Sequence, residues 1–323
     1  MRAVVVHAHG GTNHLRVETE AQVPTNSPTQ LLVDVDVAGV NYLDIYQRNG
    51  AVPAPFVAGV EGVGTVADCP DGTLGFAPGT RVGWLSAQGS YADQVAVETA
   101  AAVAIPHDIT SELAVGLLMQ GVTAHYLTQS IVPVGPGMVA VVHAGAGGVG
   151  RLLIQILGHF GVTVVATASS THKRAIAQRA GAAYVSDYDR LAATVDEVTA
   201  GVGASVVYDG VGQATFDTSL SVLGVRGTLV SIGAASGQPR PVTVKELASR
   251  SLSIIRPSVA HYASGQQLSE RAAEVFTWFR DSVIDVQIDR RYHLEQAQQA
   301  QNDLTSRSTA GKLVLAVRDD QTP

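Results

Sequence analysis

The chain of 323 residues contains a single cysteine, Cys69. One cysteine excludes a disulfide within the chain and a structural zinc site built from several cysteines, and such sparse use is typical of a reducing compartment. Charged residues make up only 15% of the chain, and 21 Lys and Arg against 28 Asp and Glu give a net charge of −7. Because the basic residues are scattered, neither nucleic acid nor an anionic lipid surface is expected as the main partner.

Uninterrupted apolar runs are also missing. The longest apolar stretch, 138–157, is broken by His143, a glycine turn and Arg151, whereas a membrane-spanning helix needs roughly 20 consecutive apolar residues. The N-terminal segment, 1–7, turns polar too early for a signal-peptide core and predicts a strand. We therefore expect a soluble, cytoplasmic protein, and the 46% of hydrophobic residues is enough for a sizeable core.

Two sequence patterns follow each other along the chain. Up to about residue 120, short β-type runs such as 31–37 and 81–85 alternate with Gly and Pro, which predicts a compact, mostly β domain. From about 136 to 256, apolar strand runs alternate with helical stretches, the rhythm of a parallel α/β sheet. A helix around 268–281 and a terminal strand, 312–317, follow, and we expect the strand to return to the first domain. The strands predicted for the parallel sheet are 138–143, 162–167, 182–186, 204–209, 227–232 and 252–255.

The strongest local signal is a glycine turn between an apolar strand and a helical pattern. Gly145, Gly147 and Gly150 follow the strand that ends near His143. In this context the glycines allow a tight turn, a close approach of the backbone to a pyrophosphate, and close packing of helix on strand. The segment therefore predicts a dinucleotide-binding loop rather than a glycine turn without a ligand.

The end of the next strand indicates which dinucleotide binds. NAD sites usually place Asp or Glu about 20 residues beyond the glycines to hold the ribose 2′-hydroxyl. Residues 169–174 contain hydroxyls and cations instead, with Ser169 and Lys173 among them. Such groups suit a 2′-phosphate and predict NADPH; the simpler interpretation is a solvated helix start capped by Ser170.

Further motifs are spread in order along nearly the whole chain, at 39–50, 120–126, 143–150, 208–212, 233–237 and 256–258. Together they resemble the quinone oxidoreductase (zeta-crystallin-like) branch of the zinc-free medium-chain dehydrogenase/reductase superfamily. The resemblance implies a GroES-like β-rich catalytic domain, 1–124 and 290–323, and a doubly wound Rossmann NADPH-binding domain, 125–289, with the active site in the cleft between them.

The resemblance also implies a set of cofactor contacts. Those expected near the nicotinamide are Tyr42, Asp44, Tyr46, Thr123, Tyr126, Val211, Gly233, Ala234, Ala235, Ser236, Arg256 and Ser258. Those expected near the pyrophosphate and the 2′-phosphate are Gly145, Gly147, Gly148, Val149, Ser169, Lys173 and Tyr188, and Arg307 is expected as a further arginine on the cofactor side. A structural alternative exists for several of them: Asp44 could be a hydrogen-bond acceptor, Tyr42 and Tyr46 partly buried aromatics, and Arg256 a partner in a salt bridge.

The ligands of a catalytic zinc are missing. Zinc-dependent relatives carry a Cys near the 41–44 segment and a His in a Gly-His-Glu motif, where this chain has Gly59, Val60 and Glu61. Catalytic zinc requires about three N, S or O protein ligands. We therefore expect no metal, and a reaction that depends on positioning and hydrogen-bond donors.

The expected reaction is transfer of a hydride from NADPH to a quinone or conjugated carbonyl. Tyr46 is the first candidate for a donor to the acceptor oxygen, with Asn41 and Arg48 as further candidates, and solvent could equally supply the proton. Many close family members carry a tyrosine at the position of Val52 and a lysine at that of Gln120, so a quinone preference does not follow directly.

Two other functions stay open. One is a reductase of enones, enals or enoyl thioesters, and the other a nonenzymatic NADPH-binding protein with a sensing or structural role. A homodimer is expected from the resemblance, with the apolar run 251–255 pairing at the edge of the Rossmann sheet.

Overall fold

The computed structural model describes residues 1–25, 27–70 and 75–318. These residues form two compact units. The first contains Met1–Val122, Ala263–Val275 and the chain from Val286 onward, and the second contains Thr123–Tyr262 and Phe276–Asp285. The domain limits implied by the resemblance stay a prediction.

Strands β1 to β16 are numbered in chain order along the described residues. They are β1 (Ala3–Val6), β2 (Leu15–Glu18), β3 (Gln30–Val40), β4 (Phe56–Val57), β5 (Glu61–Asp68), β6 (Arg81–Trp84), β7 (Gln94–Glu98), β8 (Ala102–Ala104), β9 (Val139–Val142), β10 (Thr163–Thr167), β11 (Tyr184–Ser186), β12 (Ala204–Asp209), β13 (Leu223–Ser231), β14 (Ser253–Ile255), β15 (Ile288–His293) and β16 (Lys312–Ala316).

The helices are shorter than 13 residues, except for the tenth. They are α1 (Tyr42–Tyr46), α2 (Ser111–Gly116), α3 (Thr123–Tyr126), α4 (Gly148–His159), α5 (Thr171–Arg179), α6 (Leu191–Thr199), α7 (Phe216–Ser221), α8 (Val244–Ala248), α9 (Val259–Tyr262), α10 (Gly265–Arg280) and α11 (Ala297–Thr305). π-Helical turns lie at Gln47–Ala51, Leu117–Val122 and Leu127–Ile131, and 3-10 turns at Thr12–His14, Thr99–Ala101 and Leu294–Gln296.

The first unit is built on β-sheet, as its alternating sequence pattern predicts. Its larger sheet has the order β15-β16-β3-β5-β6-β8, with β7 also pairing β3, and a smaller sheet has the order β2-β1-β4. Along β3, half-buried and buried side chains alternate up to Val37, which is typical of a strand with one face on a core. The terminal β16 pairs antiparallel with β3, so the C-terminal strand does return to this unit.

The second unit contains a six-stranded parallel sheet in the order β11-β10-β9-β12-β13-β14. Counted from its own first strand this order is 3-2-1-4-5-6, the doubly wound Rossmann arrangement. Val141, Val165, Val207 and Leu229 lie fully buried on four neighbouring strands. Strands buried on both faces read as continuous apolar runs, which is why the sequence predicted them well.

Candidate active site

The carboxyl edge of the parallel sheet gathers most of the predicted cofactor residues. In an open α/β sheet, ligands bind outside this edge, where the chain order reverses between neighbouring strands. Here that reversal lies between β9 and β12, with β10 beyond β9. The loops after the six strands carry Gly145, Gly147, Gly148 and Val149; Ser169 and Lys173; Tyr188; Val211; Gly233, Ala234, Ala235 and Ser236; and Arg256 and Ser258.

The glycine turn after β9 has the shape that a pyrophosphate needs. A Cβ on Gly150 would lie 2.5 Å from the carbonyl oxygen of Ala144, and one on Gly147 would lie 3.2 Å from it. A Cβ on Gly145 would press on Ala166, Ala177 and Ile154 at 3.0 to 3.1 Å. Helix α4 starts directly after this turn, and its N-cap residue, a glycine, makes no side-chain cap. The first N–H groups of the helix therefore suit an anionic phosphate, so the residues present fit a dinucleotide.

In the connection after β10, one polar side chain caps a helix and two others are predicted cofactor contacts. The Ser170 hydroxyl caps α5 by accepting from the Lys173 backbone N–H at 3.2 Å. Ser169 is exposed, and the Lys173 side chain is half-buried in the first turn of α5. The helix cap expected in the simpler interpretation is thus present, and 2′-phosphate contacts by Ser169 and Lys173 stay predictions.

Three loops that carry the predicted nicotinamide contacts are held by short polar contacts. Ser236 donates its hydroxyl to the Val211 carbonyl at 2.7 Å and accepts from the Ala214 N–H at 3.0 Å. The Arg256 guanidinium donates to the hydroxyl of Ser231, the last residue of β13, at 3.1 Å. These bonds fix the loops after β12, β13 and β14 at the carboxyl edge.

An aromatic pair also lies in the second unit. Tyr126, buried at the end of α3, stacks on Tyr262 with ring centroids 5.0 Å apart and planes 15° from parallel. Tyr126 was predicted as a cofactor contact, whereas Tyr262 was not singled out. Because Tyr262 follows β14 by several residues, no local motif connects it with α3. Thr123, also predicted, is buried at the start of the same helix.

Sequence reasoning also missed a buried polar cluster beneath the loops. Asp209, at the end of β12, accepts hydrogen bonds from the N–H groups of Val211 and Gly212 and from the hydroxyls of Thr215 and Ser219. His143, which follows β9, lies against Ser219 and is itself buried. Only the clustering of polar residues at strand ends could have signalled them.

In the first unit, α1 carries the two predicted tyrosines side by side. The rings of Tyr42 and Tyr46 lie 6.3 Å apart, and the Tyr42 hydroxyl donates to the Leu304 carbonyl at 3.3 Å. Burial raises the pKa of Tyr42, and the charge of Arg307 acts in the opposite direction. Arg307 is exposed with a left-handed backbone (φ 58°), so the first unit places Tyr42, Tyr46 and Arg307 on neighbouring segments.

Asp44 points into the protein rather than toward the surface. It is 3% exposed, and its Oδ2 accepts from the Asn41 N–H and the Tyr91 hydroxyl, both at 2.8 Å. Its Oδ1 accepts no hydrogen bond from the described residues. Burial raises the pKa of Asp44 to about 7, although both hydrogen bonds act to lower it. This geometry favours the structural alternative, and a direct cofactor contact stays a prediction.

Arg48 is likewise held inside the first unit. It is 5% exposed, its Nε donates to the Gln301 Oε1 at 2.8 Å, and its Nη1 donates to the Gly10 carbonyl. Burial lowers the pKa of Arg48. The guanidinium thus fastens the π-helical turn after α1 to two other segments, and its catalytic role stays a prediction.

Known proteins resemble this chain over nearly its whole length. The family model "Alcohol dehydrogenase GroES-like domain" matches residues 27–128, and "Zinc-binding dehydrogenase" matches residues 148–275. A probable quinone oxidoreductase of Schizosaccharomyces pombe is 36% identical over 98% of this chain and 97% of its own. A mycobacterial protein solved in complex with NADPH is 41% identical, with a TM-score of 0.93 over 98% of this chain and 99% of that one.

The chain belongs to the zinc-free quinone oxidoreductase family of the medium-chain dehydrogenases/reductases. The GroES-like fold and the Rossmann fold predicted from the sequence are confirmed, and the protein is an oxidoreductase. Another relative is a 2-haloacrylate reductase of a Burkholderia species, 32% identical over 97% of this chain and 98% of its own.

In this quinone oxidoreductase family member, a buried ion pair joins Lys312 to Glu61, which follows the position where the resemblance implies a zinc-binding histidine in zinc-dependent relatives. Glu61 and Lys312 are both fully buried, with Lys312 Nζ 2.5 Å from Glu61 Oε2 and 3.0 Å from Asn41 Oδ1. The Asn41 amide donates to the same Glu61 oxygen at 2.9 Å, and the other oxygen accepts from the Met119 N–H at 2.8 Å. These polar atoms therefore satisfy one another, and Asn41 is engaged as a structural residue.

Neither a metal-binding cluster nor a membrane-spanning helix occurs in the described ranges. Within residues 1–25, 27–70 and 75–318, no three His, Cys, Asp or Glu side chains group so that they could hold a metal ion. Over the same ranges, no helix has the length and apolar character needed to cross a membrane.

Proposed function

We propose that this oxidoreductase uses NADPH to reduce a small quinone or another conjugated carbonyl compound, without a metal ion. The observation that carries the proposal is the carboxyl edge of the Rossmann sheet. There an uncapped helix start at Gly148 follows the turn that contains Gly145 and Gly147, and Ser169 and Lys173 stand where an NAD site would have a carboxylate. The bound cofactor supplies the hydride, and the protein binds and orients it.

A conjugated acceptor follows from the donor set around α1. Catalytic zinc needs about three protein ligands, but Val60 replaces the expected histidine, and Asn41 and Glu61 are bonded to Lys312. An acceptor that is already electrophilic through conjugation depends less on polarisation by a metal. The protein then has to hold it in place and provide a hydrogen-bond donor to its oxygen.

Tyr46 is the donor that we propose. It ends α1 as a half-buried side chain beside Tyr42. Asp44 holds this helix through Tyr91, and Arg48 holds the turn that follows it through Gln301. Tyr46→Phe should lower kcat with quinones several-fold while the Kd for NADPH stays unchanged. Tyr184→Phe, which alters an exposed tyrosine of β11, is the control. An unchanged kcat in Tyr46→Phe would assign the proton to solvent.

The first test is the rate of NADPH oxidation with a panel of small quinones, conjugated enones and 2-haloacrylates, run beside NADH. Quinone turnover with NADPH preferred over NADH is the expected result. Turnover with NADH as good as with NADPH would contradict the cofactor assignment. Tight NADPH binding without turnover of any acceptor would overturn the reductase proposal.

A second candidate is reduction of a conjugated carbon–carbon double bond. It is favoured by the relative named as a 2-haloacrylate reductase, which matches nearly the whole chain, and by Val52 and Gln120, which make the acceptor region less polar than in many family members. Turnover of enones or 2-haloacrylates without turnover of quinones would make this the preferred function.

We also propose a homodimer that forms at the free edge of the Rossmann sheet. β14 is the last strand of that sheet, and within the described residues its outer edge pairs with no other strand. Ile254 and Ile255 are half-buried in the isolated chain. An exposed edge with apolar residues is a template for pairing with a second copy.

A further inference from the structure

A buried hydrogen-bonded chain runs underneath the loops of the proposed NADPH site. The ring of His143 lies 2.8 Å by its Nδ1 from the Thr167 hydroxyl and 3.0 Å by its Nε2 from the Ser219 hydroxyl. Ser219 in turn donates to Asp209 Oδ2 at 2.7 Å. None of the four side chains belongs to a residue more than 3% exposed, so the whole chain of groups lies away from solvent.

The partners of Ser219 determine the state of the imidazole. A serine has one hydroxyl proton, and Ser219 uses it on the Asp209 carboxylate, so the Ser219 oxygen must accept from His143 Nε2–H. Burial lowers the pKa of His143, although the nearby charge of Asp209 acts to raise it, and this direction favours the neutral ring. A neutral ring that carries its proton on Nε2 has an acceptor at Nδ1, and Thr167 donates to it.

The same ring touches the elements that carry the predicted cofactor contacts. His143 begins the glycine turn, and Thr167 precedes Ser169 by two residues. Asp209 holds the Val211 and Gly212 N–H groups at 2.8 and 3.0 Å. Tyr188, after β11, stacks on the imidazole with ring centroids 5.8 Å apart and planes 18° from parallel.

We propose that His143, as a neutral imidazole with its proton on Nε2, is the positioning residue that sets the loops after β9, β10, β11 and β12 for NADPH. It acts through Thr167, Tyr188 and the Ser219–Asp209 pair and does not itself touch the cofactor. The proposal rests on NADPH binding at this edge of the sheet. Part of the affinity for NADPH then depends on these buried side chains, and not only on the exposed residues of the loops.

The first experiment measures the Kd for NADPH by fluorescence titration, without an electron acceptor. One neutral hydrogen bond contributes about 1 kcal/mol, so Thr167→Val and Ser219→Ala should each raise the Kd about 3- to 10-fold. The control is Thr128→Val, since Thr128 is a fully buried threonine of the same unit whose hydroxyl donates to carbonyls one turn earlier in the chain. Wild-type affinity in both Thr167→Val and Ser219→Ala would overturn the proposal.

The second experiment tests whether the effect passes through the ring. Thr167 and Ser219 both bond to the imidazole from its two nitrogens, so their substitutions should couple. The Thr167→Val/Ser219→Ala double variant should raise the Kd by less than the product of the single effects, and the coupling should vanish in a His143→Phe background. Coupling that persists without the imidazole contradicts a relay through His143. Independent single effects in the wild type contradict it as well.

The third experiment reads the tautomer in the cofactor-free wild-type protein. Long-range ¹H–¹⁵N spectra of histidine side chains distinguish an Nε2–H ring from an Nδ1–H ring and from the charged form. We expect His143 as the Nε2–H form at neutral pH, and either other form overturns the assignment. These measurements involve no turnover, so a protein that binds NADPH but reduces no quinone would refute the proposed function and leave this inference standing.

Discussion

Lys173 is the single side chain on which the proposed choice of cofactor depends most. Ser170 already caps the helix that carries it, and no carboxylate stands at the end of β10. Lys173→Ala should raise the Kd for NADPH by about 10- to 100-fold, since hydrogen bonds to charged groups contribute about 1.5 to 3 kcal/mol. The Kd for NADH should change little, because NADH has no 2′-phosphate. Paired titrations with both nucleotides measure the difference.

The control for this prediction is Lys245→Ala. Lys245 is an exposed lysine on α8 of the same unit. Its substitution therefore removes the same charge from the protein without removing a predicted contact. It should leave both dissociation constants unchanged. Equal losses of NADPH and NADH affinity in Lys173→Ala would remove the argument for a 2′-phosphate site there.

Asp44 should make the stability of the protein depend on pH. Its pKa is raised from 3.8 to about 7 in the folded chain, mainly because it is buried. The folded state therefore binds the proton more tightly than the unfolded state, so the contribution is complete below the unfolded pKa and lost as the pH rises through the folded pKa. Between about pH 5 and about pH 8, the free energy of unfolding of the wild type should fall by a few kcal/mol relative to Asp44→Asn.

Denaturant titrations across that pH range measure this effect. The comparison uses the slope of the free energy of unfolding against pH rather than its absolute value, because Asp44→Asn also alters the hydrogen bond with Tyr91. Asp68→Asn, in which an exposed aspartate at the end of β5 is changed, should keep the wild-type slope. Parallel slopes in wild type and Asp44→Asn would mean that Asp44 titrates near its ordinary pKa.

At the residue scale the sequence predicted positions within local motifs better than the partners of buried side chains. Lys173 and the glycines stand in motifs whose spacing follows from a strand, a turn and a helix. The inward orientation of Asp44 and Arg48 depends on partners such as Tyr91 and Gln301, which are distant in sequence. No local pattern encodes such pairings, and the same reason hid the His143 cluster.

Among the elements, helix α4 and the turn before it offer a matched test of the glycine loop. Gly150 and Gly158 lie in the same helix, but a Cβ on Gly150 would lie 2.5 Å from a backbone oxygen, whereas one on Gly158 would meet nothing within 4 Å. Backbone atoms cannot move aside as a flexible side chain can. Gly150→Ala should therefore lower the free energy of unfolding by about 1 to 3 kcal/mol and weaken NADPH binding.

Gly158→Ala should act in the opposite direction on stability and leave binding unchanged. Alanine is favoured over glycine inside a helix by up to about 1 kcal/mol, and the position is exposed. Thermal unfolding and NADPH titration of the two variants measure both effects. A stabilised Gly150→Ala with full affinity would show that the turn has room for a side chain and would contradict the close approach of helix and strand.

The secondary structure of the second unit was predictable because its central strands are largely continuous apolar runs. All six strands predicted from 138 to 255 are present. β13 nevertheless begins at Leu223 rather than 227, since Gly224 and Gly227 break its apolar pattern, and Arg226 there has a left-handed backbone (φ 64°). Helix α10 begins at Gly265. The prediction began later, at 268, because the first residues of the helix are polar and do not show its apolar pattern.

For the whole molecule, the prediction concerns its assembly. β14 presents Ser253, Ile254 and Ile255 at the sheet edge, and Ser253 is exposed. Lysines on edge strands oppose pairing because they place charge where a second strand would bind. Two copies of Ser253→Lys would also bring like charges together at a two-fold contact.

Light scattering on a size-exclusion column should find a dimer for the wild type and a monomer for Ser253→Lys at the same concentration. Ser221→Lys, in which an exposed serine at the end of α7 is changed, is the control for added charge and should remain a dimer. Because Ser253 begins β14, at the opposite end of the strand from the predicted contacts Arg256 and Ser258, the monomer should keep the NADPH affinity of the wild type. If Ser253→Lys stays dimeric, the two copies associate through another surface. The short length of β14 would then be what keeps this sheet edge from pairing.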